Sequence, residues 1–319
     1  MRLATLIGLL GVGPGALAQA YPARTIHLVV PHAPGTNADL MGRLIGPKLS
    51  ASMGQPFVVE NRGGASGIPA TESVARAAPD GYTVWLGAND SLINVAILQK
   101  DLPYDPFKDL APIGPAIAGY TVLMIGTANP SFDSLRGLID YARRNPGKVS
   151  YGTNGVAGFW HVLGELLQSA AGIRMLHVPY KTTVAASQDV IAGRLDLTFG
   201  SVPAVKPFAA TGKARLIAVG NKQRFSGLPD VPTVSEVVPG FESAPSWFSF
   251  WGPAGLPQPI VSRLNSEFNK VMSDADVQKY LDDNGLAVAV RTPAELAALH
   301  RTGFDLVKKA ITAAGIKAD

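Results

Sequence analysis

Cysteine does not occur anywhere in the 319 residues of this chain. Its absence excludes disulfide bonds, thiolate metal sites, thiol catalysis and a lipid-modified cysteine anchor. Charged residues are scarce, at 16% of the chain, and the net charge of +4 comes from basic residues that are scattered rather than clustered. Because a nucleic-acid-binding protein presents a basic stripe or patch, the sequence predicts no nucleic-acid partner.

Long apolar runs are also missing after residue 20. No stretch in that part of the chain approaches 18 uninterrupted apolar residues, so we expect no membrane-spanning helix in it. The first twenty residues differ. One arginine precedes an apolar stretch from Leu3 to Val12, and Ala18-Gln19-Ala20 forms a small-x-small cleavage site. This pattern predicts a secretory signal peptide at 1–20 that is removed after Ala20, and it predicts the periplasm as the compartment.

Catalytic signatures are absent too: the sequence has no G-x-S-x-G elbow, H-E-x-x-H helix, Walker phosphate loop or EF-hand loop. His161 and Glu165 stand four residues apart and could share a metal ion, but no third ligand has motif spacing. The glycines at 63–67 do not match a dinucleotide fingerprint, so we interpret them as a tight turn that could line a cleft. We expect no metal, no cofactor and no catalytic residue.

Apolar residues make up 47% of the chain, enough for more than one core. Runs of β-branched residues alternate with amphipathic helical patterns, which is typical of α/β units with largely parallel sheets. Strands are predicted at 26–30, 57–60, 83–86, 120–125, 149–151, 175–178, 195–199, 215–219 and 248–252. Helices are predicted at 38–50, 66–77, 134–144, 159–171, 184–192 and 257–272, then at 274–283 after a Ser273 cap and from the capping box at 292–295, with no comparable strand among these last helices.

Two domains are expected, because about 300 residues exceed what one core usually supports. Extended segments near 120–126 and 243–253 join blocks that look internally complete. We therefore assign 21–123 and 245–319 to the first domain and 124–244 to the second. The aromatic group Trp247, Phe248, Phe250 and Trp251 is predicted to pack at the returning crossover.

The triplet Gly-Thr-Asn occurs twice, at 35–37 and at 152–154, each time between a predicted strand and a predicted helix. The first N–H groups of a helix have no partner within the helix and attract anions. If the two triplets lie in different domains, both helix N-termini can face one cleft. The occupant would be a phosphate, a carboxylate or nothing. Phe159 and Trp160 either pack in the core or stack on a ligand.

Blocks along nearly the whole chain after residue 20 resemble, in order, the Bug-type receptors, which are the periplasmic solute-binding proteins of tripartite tricarboxylate transporters. The blocks that carry the resemblance include VVPHAPGTNADLMGR, VVENRGGASGIPATESVARAAPDGYTVWLG, LPYDPFKDLAPI, NPGKVSYGTNGVAGFWHVLGELL, LHVPYKTTVAASQDVIAGRLDLTFG, LPDVPTVSEVVPGFE and WFSFWGPAGLPQPIVSRLN.

The resemblance implies an α/β fold, a two-domain periplasmic-binding-protein clamshell in which each lobe is a mostly parallel sheet flanked by helices. It implies a receptor that closes on a small organic carboxylate and delivers it to the permease subunits of a membrane transporter. We expect a monomer without catalytic activity. The alternative is a secreted α/β hydrolase or metal-dependent lyase acting on an acidic substrate, and a sensor receptor is a third reading.

The resemblance also implies where the ligand binds: backbone N–H groups, hydroxyls and water in the first strand-to-helix loop and in the loop before 159–171 hold its carboxylate. Lys181, which could instead be solvated, belongs to a further cleft block. The candidate ligand-binding residues are Pro34, Gly35, Thr36, Asn37, Asp39, Asn89, Asp90, Thr153, Asn154, Gly158, Phe159, Trp160, Lys181, Thr182 and Ser201.

Departures from the family pattern concern the ligand. The usual PFAPGG reads Pro31-His32-Ala33-Pro34-Gly35-Thr36 here, and the usual YKG ends in Thr182. Two glycines are thus replaced by hydroxyl residues, which add donors and reduce space. With Trp160 nearby, a planar aromatic acid becomes a candidate beside the family's aliphatic di- and tricarboxylates.

Overall fold

The computed structural model describes residues 21–128, 131–153, 155–156, 158–243 and 246–315. The predicted signal peptide and Asn154 lie outside these ranges. The strands are β1 (Ile26–Val30), β2 (Phe57–Asn61), β3 (Thr83–Ala88), β4 (Leu110–Gly119), β5 (Thr121–Gly126), β6 (Ser150–Thr153), β7 (Leu176–Pro179), β8 (Leu197–Ser201), β9 (Ala214–Val219), β10 (Trp247–Pro253) and β11 (Leu286–Val290).

The helices alternate with these strands over most of the chain. They are α1 (Asn37–Met53), α2 (Ile68–Ala75), α3 (Ile93–Leu98), α4 (Leu135–Arg144), α5 (Phe159–Ala171), α6 (Thr183–Ile191), α7 (Val202–Ala210), α8 (Val234–Val237), α9 (Gln258–Met272), α10 (Ala275–Asp283) and α11 (Pro293–Ala314).

The strands form two separate sheets, which define two lobes. The first lobe contains a six-stranded sheet in the order β11-β4-β10-β3-β1-β2, and the second contains a five-stranded sheet in the order β7-β6-β8-β5-β9. Both sheets are mixed. Pairings among β1, β2 and β3 and among β6, β7 and β8 are parallel, whereas every pairing described for β4, β5 and β10 is antiparallel.

Each face of the first sheet has its own core, because side chains alternate along a strand. Leu28 and Val30 of β1 belong to one core with residues of α1, α9 and α10, whereas Val29 belongs to the opposite core with residues of α2, α3 and α11. The predicted aromatic group of β10 is fully part of these two cores. The second sheet is likewise covered on both faces.

The chain passes between the lobes over a short distance. β4 ends at Gly119 in the first sheet, and β5 begins at Thr121 in the second. The Asn221 side chain holds this passage, since its Oδ1 accepts from Thr121 N–H at 2.9 Å and its Nδ2 donates to the Gly119 carbonyl at 3.0 Å. Gly119 N–H also donates to the Ser246 carbonyl, which precedes β10. We propose a domain boundary at Tyr120, a few residues before the sequence-based one.

Several sequence predictions need correction. β4 was not predicted, because it contains Pro112 and Pro115, which cannot donate to a ladder. Neither proline has a partner in β11, which pairs only with residues 116–119 of β4, and Pro115 falls where the pairing of β4 with β10 is interrupted, between Pro112 and Ala116. β11 also interrupts the final helices, where no strand was expected. Asp274 rather than Ser273 caps α10, since its side chain accepts from Asp276 N–H.

Other local predictions are confirmed. The box at Thr292 and Glu295 caps α11 as expected, with Pro293 in the first turn. The bounds of β1 and α5 are those predicted. In the described ranges no helix is both long enough and apolar enough to cross a bilayer.

Candidate functional site

A cavity of about 440 Å³, here called the interlobe cavity, lies where loops of both lobes meet. The first lobe contributes the segments after β1, β2 and β3, and the second contributes the segment before α5. Its described lining residues are Pro31, His32, Ala33, Gly64, Ser66, Gly67, Asp90, Ser91, Asn94, Val95, Leu98, Gln99, Val156 and Gly158.

The interlobe cavity is placed by the strand directions. β1, β2 and β3 run parallel, so their carboxyl ends meet at one edge of the first sheet, and β6 presents its own carboxyl end from the second. In α/β sheets, ligands bind in the crevice outside the carboxyl ends of such strands. The position of the cavity thus follows from topology rather than from any single motif.

The β1–α1 loop is fixed by Asp39. Its carboxylate is 2% exposed, accepts from Gly35 N–H at 2.7 Å and accepts from Arg43 Nε at 2.9 Å. Desolvation alone would raise the pKa of Asp39, but the hydrogen bonds from Gly35, Arg43 and Asn61 hold it below its ordinary value. Arg43 also donates to Asn61, whose Nδ2 donates to the His32 carbonyl. The Asp39 carboxylate therefore positions the loop and is not free to face a ligand.

On the opposite side, Thr153 fixes the loop before α5. Its hydroxyl is buried, donates to the Gly155 carbonyl at 2.9 Å and lies 2.7 Å from His177 Nε2. Because the hydroxyl proton is used on Gly155, His177 Nε2 serves as the donor to Thr153. The Thr153 side chain thus shapes the loop that carries Val156 and Gly158 to the cavity.

Behind this loop, His177 stacks on His161, with ring centroids 3.8 Å apart and an interplanar angle of 11°. Burial, and then the neighbouring His161, lowers the pKa of His177 to about 4. Burial also lowers the pKa of His161, although Glu165 opposes that effect. The His161–Glu165 distance is 3.8 Å, and in the described ranges no group of three or more His, Asp or Glu residues could hold a metal ion.

The remaining predicted residues are spread over several environments. Asp90 and Gly158 line the interlobe cavity. Pro34, Gly35 and Thr36 lie in the loop next to Ala33, which lines the cavity, and Asn37 is the first residue of α1. Asn89 is buried, and its Oδ1 accepts from Trp247 N–H, so it anchors β10. Thr182 caps α6, Ser201 ends β8 at the N-cap position of α7, and Lys181 is exposed; none of the three is among the lining residues described.

Phe159 and Trp160 are partly buried and lie edge to face, with ring centroids 4.8 Å apart. Both pack against the core of the second lobe, and Phe159 also contacts the first-lobe core that contains Leu296 and Val307. Phe159 therefore packs where the lobes meet, and Trp160 packs on the second lobe. Neither ring is among the described lining residues of the interlobe cavity.

Sequence reasoning missed His32, Ser91 and Asn94 as lining residues, whereas the turn at 63–67, expected as one that could line a cleft, does line the cavity through Gly64, Ser66 and Gly67. His32 Nε2 lies 3.3 Å from Ser91 Oγ, a contact across 59 positions of sequence. One signal could have found His32: it stands where the family pattern has phenylalanine. Ser91 and Asn94 carry no such signal, because they lie in short helical segments where polar residues are ordinary.

Gly67 offers a test of how tightly the interlobe cavity is built. Its φ of +81° disfavours any side chain, and an added Cβ would lie 2.7 Å from Pro31 Cβ. Gly67→Ala is expected to lower the free energy of unfolding by about 2 kcal/mol, from backbone strain plus overpacking. Urea unfolding measures this.

Gly64→Ala is the matched control. Gly64 also lines the cavity and has φ +106°, but nothing lies within 4 Å of an added Cβ. Gly64→Ala should therefore lower the free energy of unfolding only through backbone strain, by about 1 kcal/mol. Equal costs for the two variants would contradict close packing of Gly67 on Pro31.

Comparison with known proteins gives consistent matches over most of the chain. A family model described as "Tripartite tricarboxylate transporter family receptor" matches residues 41–315. BugT of Bordetella pertussis is 31% identical over 298 residues, which are 92% of this chain and 91% of BugT.

Two solved structures from Rhodopseudomonas palustris are also similar. One, described as with adipate, is 32% identical with a TM-score of 0.79, covering 93% of this chain and 99% of that protein. The other, MatC with bound malate, is 28% identical with a TM-score of 0.74, and the match covers 91% of this chain and 100% of MatC.

Proposed function

Because the chain belongs to the receptor family of tripartite tricarboxylate transporters, we propose that it captures a small organic carboxylate in the interlobe cavity and delivers it to the membrane subunits of such a transporter. The observation that carries this proposal is the cavity itself, which is built by loops of both lobes at the carboxyl ends of their strands. A ligand that contacts both lobes favours the closed arrangement by the difference in contacts between open and closed states.

Neutral donors, rather than a basic side chain, would hold the carboxylate. No lysine or arginine is found in the lining that the structure describes. Gly158 is the N-cap residue of α5, and Thr36 is the N-cap residue of α1. In the described part of the chain, no side chain at either N-cap position accepts a hydrogen bond from the first turn of the helix. The first N–H groups of these helices therefore remain available, and helix N-termini favour negative charge. The candidate residues at 34–37 and 153–160 belong to these two termini.

Turnover is not part of the proposal. A Ser-His-Asp hydrolase needs the acid and the nucleophile on opposite ring nitrogens of the histidine. Here Ser91 Oγ and Asp90 Oδ1 both approach His32 Nε2, at 3.3 and 3.8 Å. His32 Nδ1 is buried and has no partner in the described part of the chain. This geometry supports a binding role over the hydrolase alternative.

Location and assembly follow from the same proposal. The family relatives are periplasmic binding proteins, and the sequence of residues 1–20 has the pattern of an export signal. We propose that the receptor acts in the periplasm as a monomer and meets the permease subunits in its ligand-bound form.

A thermal-shift screen tests the proposal directly. The full-length mature chain, from residue 21, is heated with aliphatic mono-, di- and tricarboxylic acids and with aromatic acids. An acid at 100 times its Kd adds about 2.7 kcal/mol of stability, so the melting temperature of the protein should rise by roughly 4 °C. Calorimetry then gives Kd, and NMR of the recovered acid should show it unchanged. The proposal fails if no acid raises the melting temperature, or if the acid is converted.

A further inference from the structure

Asp90 is an unusual residue to find in a cavity for acids. It follows β3 in a single turn of 3-10 helix, lines the interlobe cavity, and its side chain is 44% exposed. Oδ1 accepts from Ser91 N–H at 2.8 Å, which fixes the direction of the carboxylate. Of the described lining residues, Asp90 alone carries a carboxylate, and none carries a lysine or arginine charge.

The nearest group that can share this charge is His32, whose Nε2 is 3.8 Å from Asp90 Oδ1. That ring nitrogen also lies 3.3 Å from Ser91 Oγ. His32 and Asp90 are the titratable groups of the described lining, and they face each other from the ends of β1 and β3. The contacts of Asp90 with Ser91 N–H and with His32 are both made by Oδ1, and in the described part of the chain no contact is given for Oδ2 of Asp90, which leaves that oxygen as an acceptor on a residue of the cavity lining.

The cavity lining therefore contains two unlike groups. Gly158 precedes α5, and the helix N-terminus there attracts a carboxylate, whereas Asp90 repels one and accepts hydrogen bonds. A ligand that places a second unmodified carboxylate against Asp90 would bring two anions together with no lysine or arginine of the described lining to offset them. A ligand with a hydroxyl or ammonium group there would instead satisfy the free acceptor.

We propose that the ligand is a hydroxy- or amino-substituted carboxylic acid, and that Asp90 selects it by accepting a hydrogen bond from that substituent. This inference rests on the proposed function, because it assigns a specificity-determining residue to the same cavity. The aliphatic or aromatic nature of the remaining part is not fixed by Asp90.

Ligand pairs that differ by one donor test this selection. We would measure Kd by calorimetry at pH 7 for malate and succinate, aspartate and succinate, lactate and propionate, and mandelate and phenylacetate. In whichever pair binds, the substituted acid should bind at least about tenfold more tightly, because a lost charge-assisted hydrogen bond costs about that factor. An unsubstituted acid that binds equally well overturns the inference and leaves the proposed function intact.

Variants of Asp90 show whether the selection comes from this residue. Asp90→Ala removes the acceptor, so the preference should fall to about twofold or less. Asp90→Asn keeps one oxygen for Ser91 N–H and replaces the second oxygen with an NH2 group. A ligand hydroxyl can accept from that NH2 group but an ammonium group cannot, so the variant should retain most of the hydroxyl preference and lose most of the ammonium preference. Asp101→Ala is the matched control, because Asp101 is exposed and is not among the described lining residues.

Each outcome has one meaning. A preference that survives in Asp90→Ala overturns the role of Asp90. If Asp90→Ala and Asp101→Ala both lose the preference for the substituted acid, the preference comes from net charge, and this result also overturns the role of Asp90. If no acid of the panel or of the thermal-shift screen binds the wild-type chain, the proposed function fails first and this inference fails with it. Circular dichroism of each variant confirms that the comparison is made between folded proteins.

Discussion

Asp39→Ala is expected to lower the free energy of unfolding by about 3 kcal/mol at pH 7, because it removes hydrogen bonds to a buried charge. The lost bonds join the carboxylate to Gly35 N–H and to Arg43 Nε. Since these bonds hold the β1–α1 loop, the variant should also bind its acid more weakly. Urea unfolding and calorimetry measure the two effects.

The pH dependence of this effect follows from the lowered pKa of Asp39. A carboxyl whose pKa is lower in the folded state contributes stability above its unfolded pKa and loses it as the pH falls toward the folded value. The difference between the wild-type chain and Asp39→Ala should therefore be constant above about pH 5 and should narrow below about pH 4.

Asp283→Ala provides the control for Asp39. Asp283 pairs with Lys279 and Asp39 pairs with Arg43, both at a spacing of four residues in a helix. The side chain of Asp283 is 59% exposed, whereas that of Asp39 is 2% exposed. An exposed pair contributes under about 1 kcal/mol. A similar loss in both variants would show that burial and the Gly35 bond do not matter.

His300→Phe is expected to remove part of the acid sensitivity of the fold. His300 lies on α11, is 2% exposed and packs against Phe107, Trp247 and Trp251. Neither ring nitrogen has a partner in the described part of the chain. Burial, followed by the nearby Arg301 charge, lowers the pKa of His300 to about 4.

The sign of the effect is set by where the proton binds. Between the folded pKa of about 4 and the ordinary value of 6.5, the unfolded chain binds a proton at residue 300 and the folded chain does not. The wild-type chain therefore loses stability as the pH falls through this window, by roughly 3 kcal/mol in total from this residue. His300→Phe should gain that amount relative to wild type between pH 7 and pH 4, measured by urea unfolding.

His300→Gln separates titration from packing. Glutamine does not titrate, so its stability relative to wild type should also rise as the pH falls. At pH 7, however, glutamine buries an amide among aromatic rings and should be less stable than phenylalanine. If the wild-type chain loses no more stability between pH 7 and pH 4 than the two variants lose, His300 is not a neutral, buried side chain in the folded protein.

Local patterns in the sequence predicted most elements of the fold. β1 and α5 have the predicted bounds, and the family membership indicated by the sequence blocks is confirmed. Such elements are predictable because apolar periodicity and capping residues act over a few positions. β4 and β11 were missed because prolines and alanines weaken their local pattern. Both strands are stabilised by pairing instead, β4 with β10 and β11 with β4.

The candidate site was predictable only in outline. Both Gly-Thr-Asn segments precede helices, as expected, and the loops around 31–33 and 156–158 do meet in one cavity. The sequence did not predict which side chains face that cavity. Asp39 and Thr153 are turned inward to hold their loops. The difference arises because a hydrogen-bonding side chain can serve its own loop or a ligand, and spacing does not distinguish the two.

The sequence by itself determined the family, most of the helices and strands, and the two loops at helix N-termini. Helices, strands and loops of this kind are predictable because each depends on residues that are neighbours in the chain. Only the tertiary structure decided that His32, Ser91 and Asp90 share one wall and that His161 stacks on His177. Those contacts join residues on different strands and helices. Their distances are set by how strands pair and helices pack across the whole chain, which no local pattern contains.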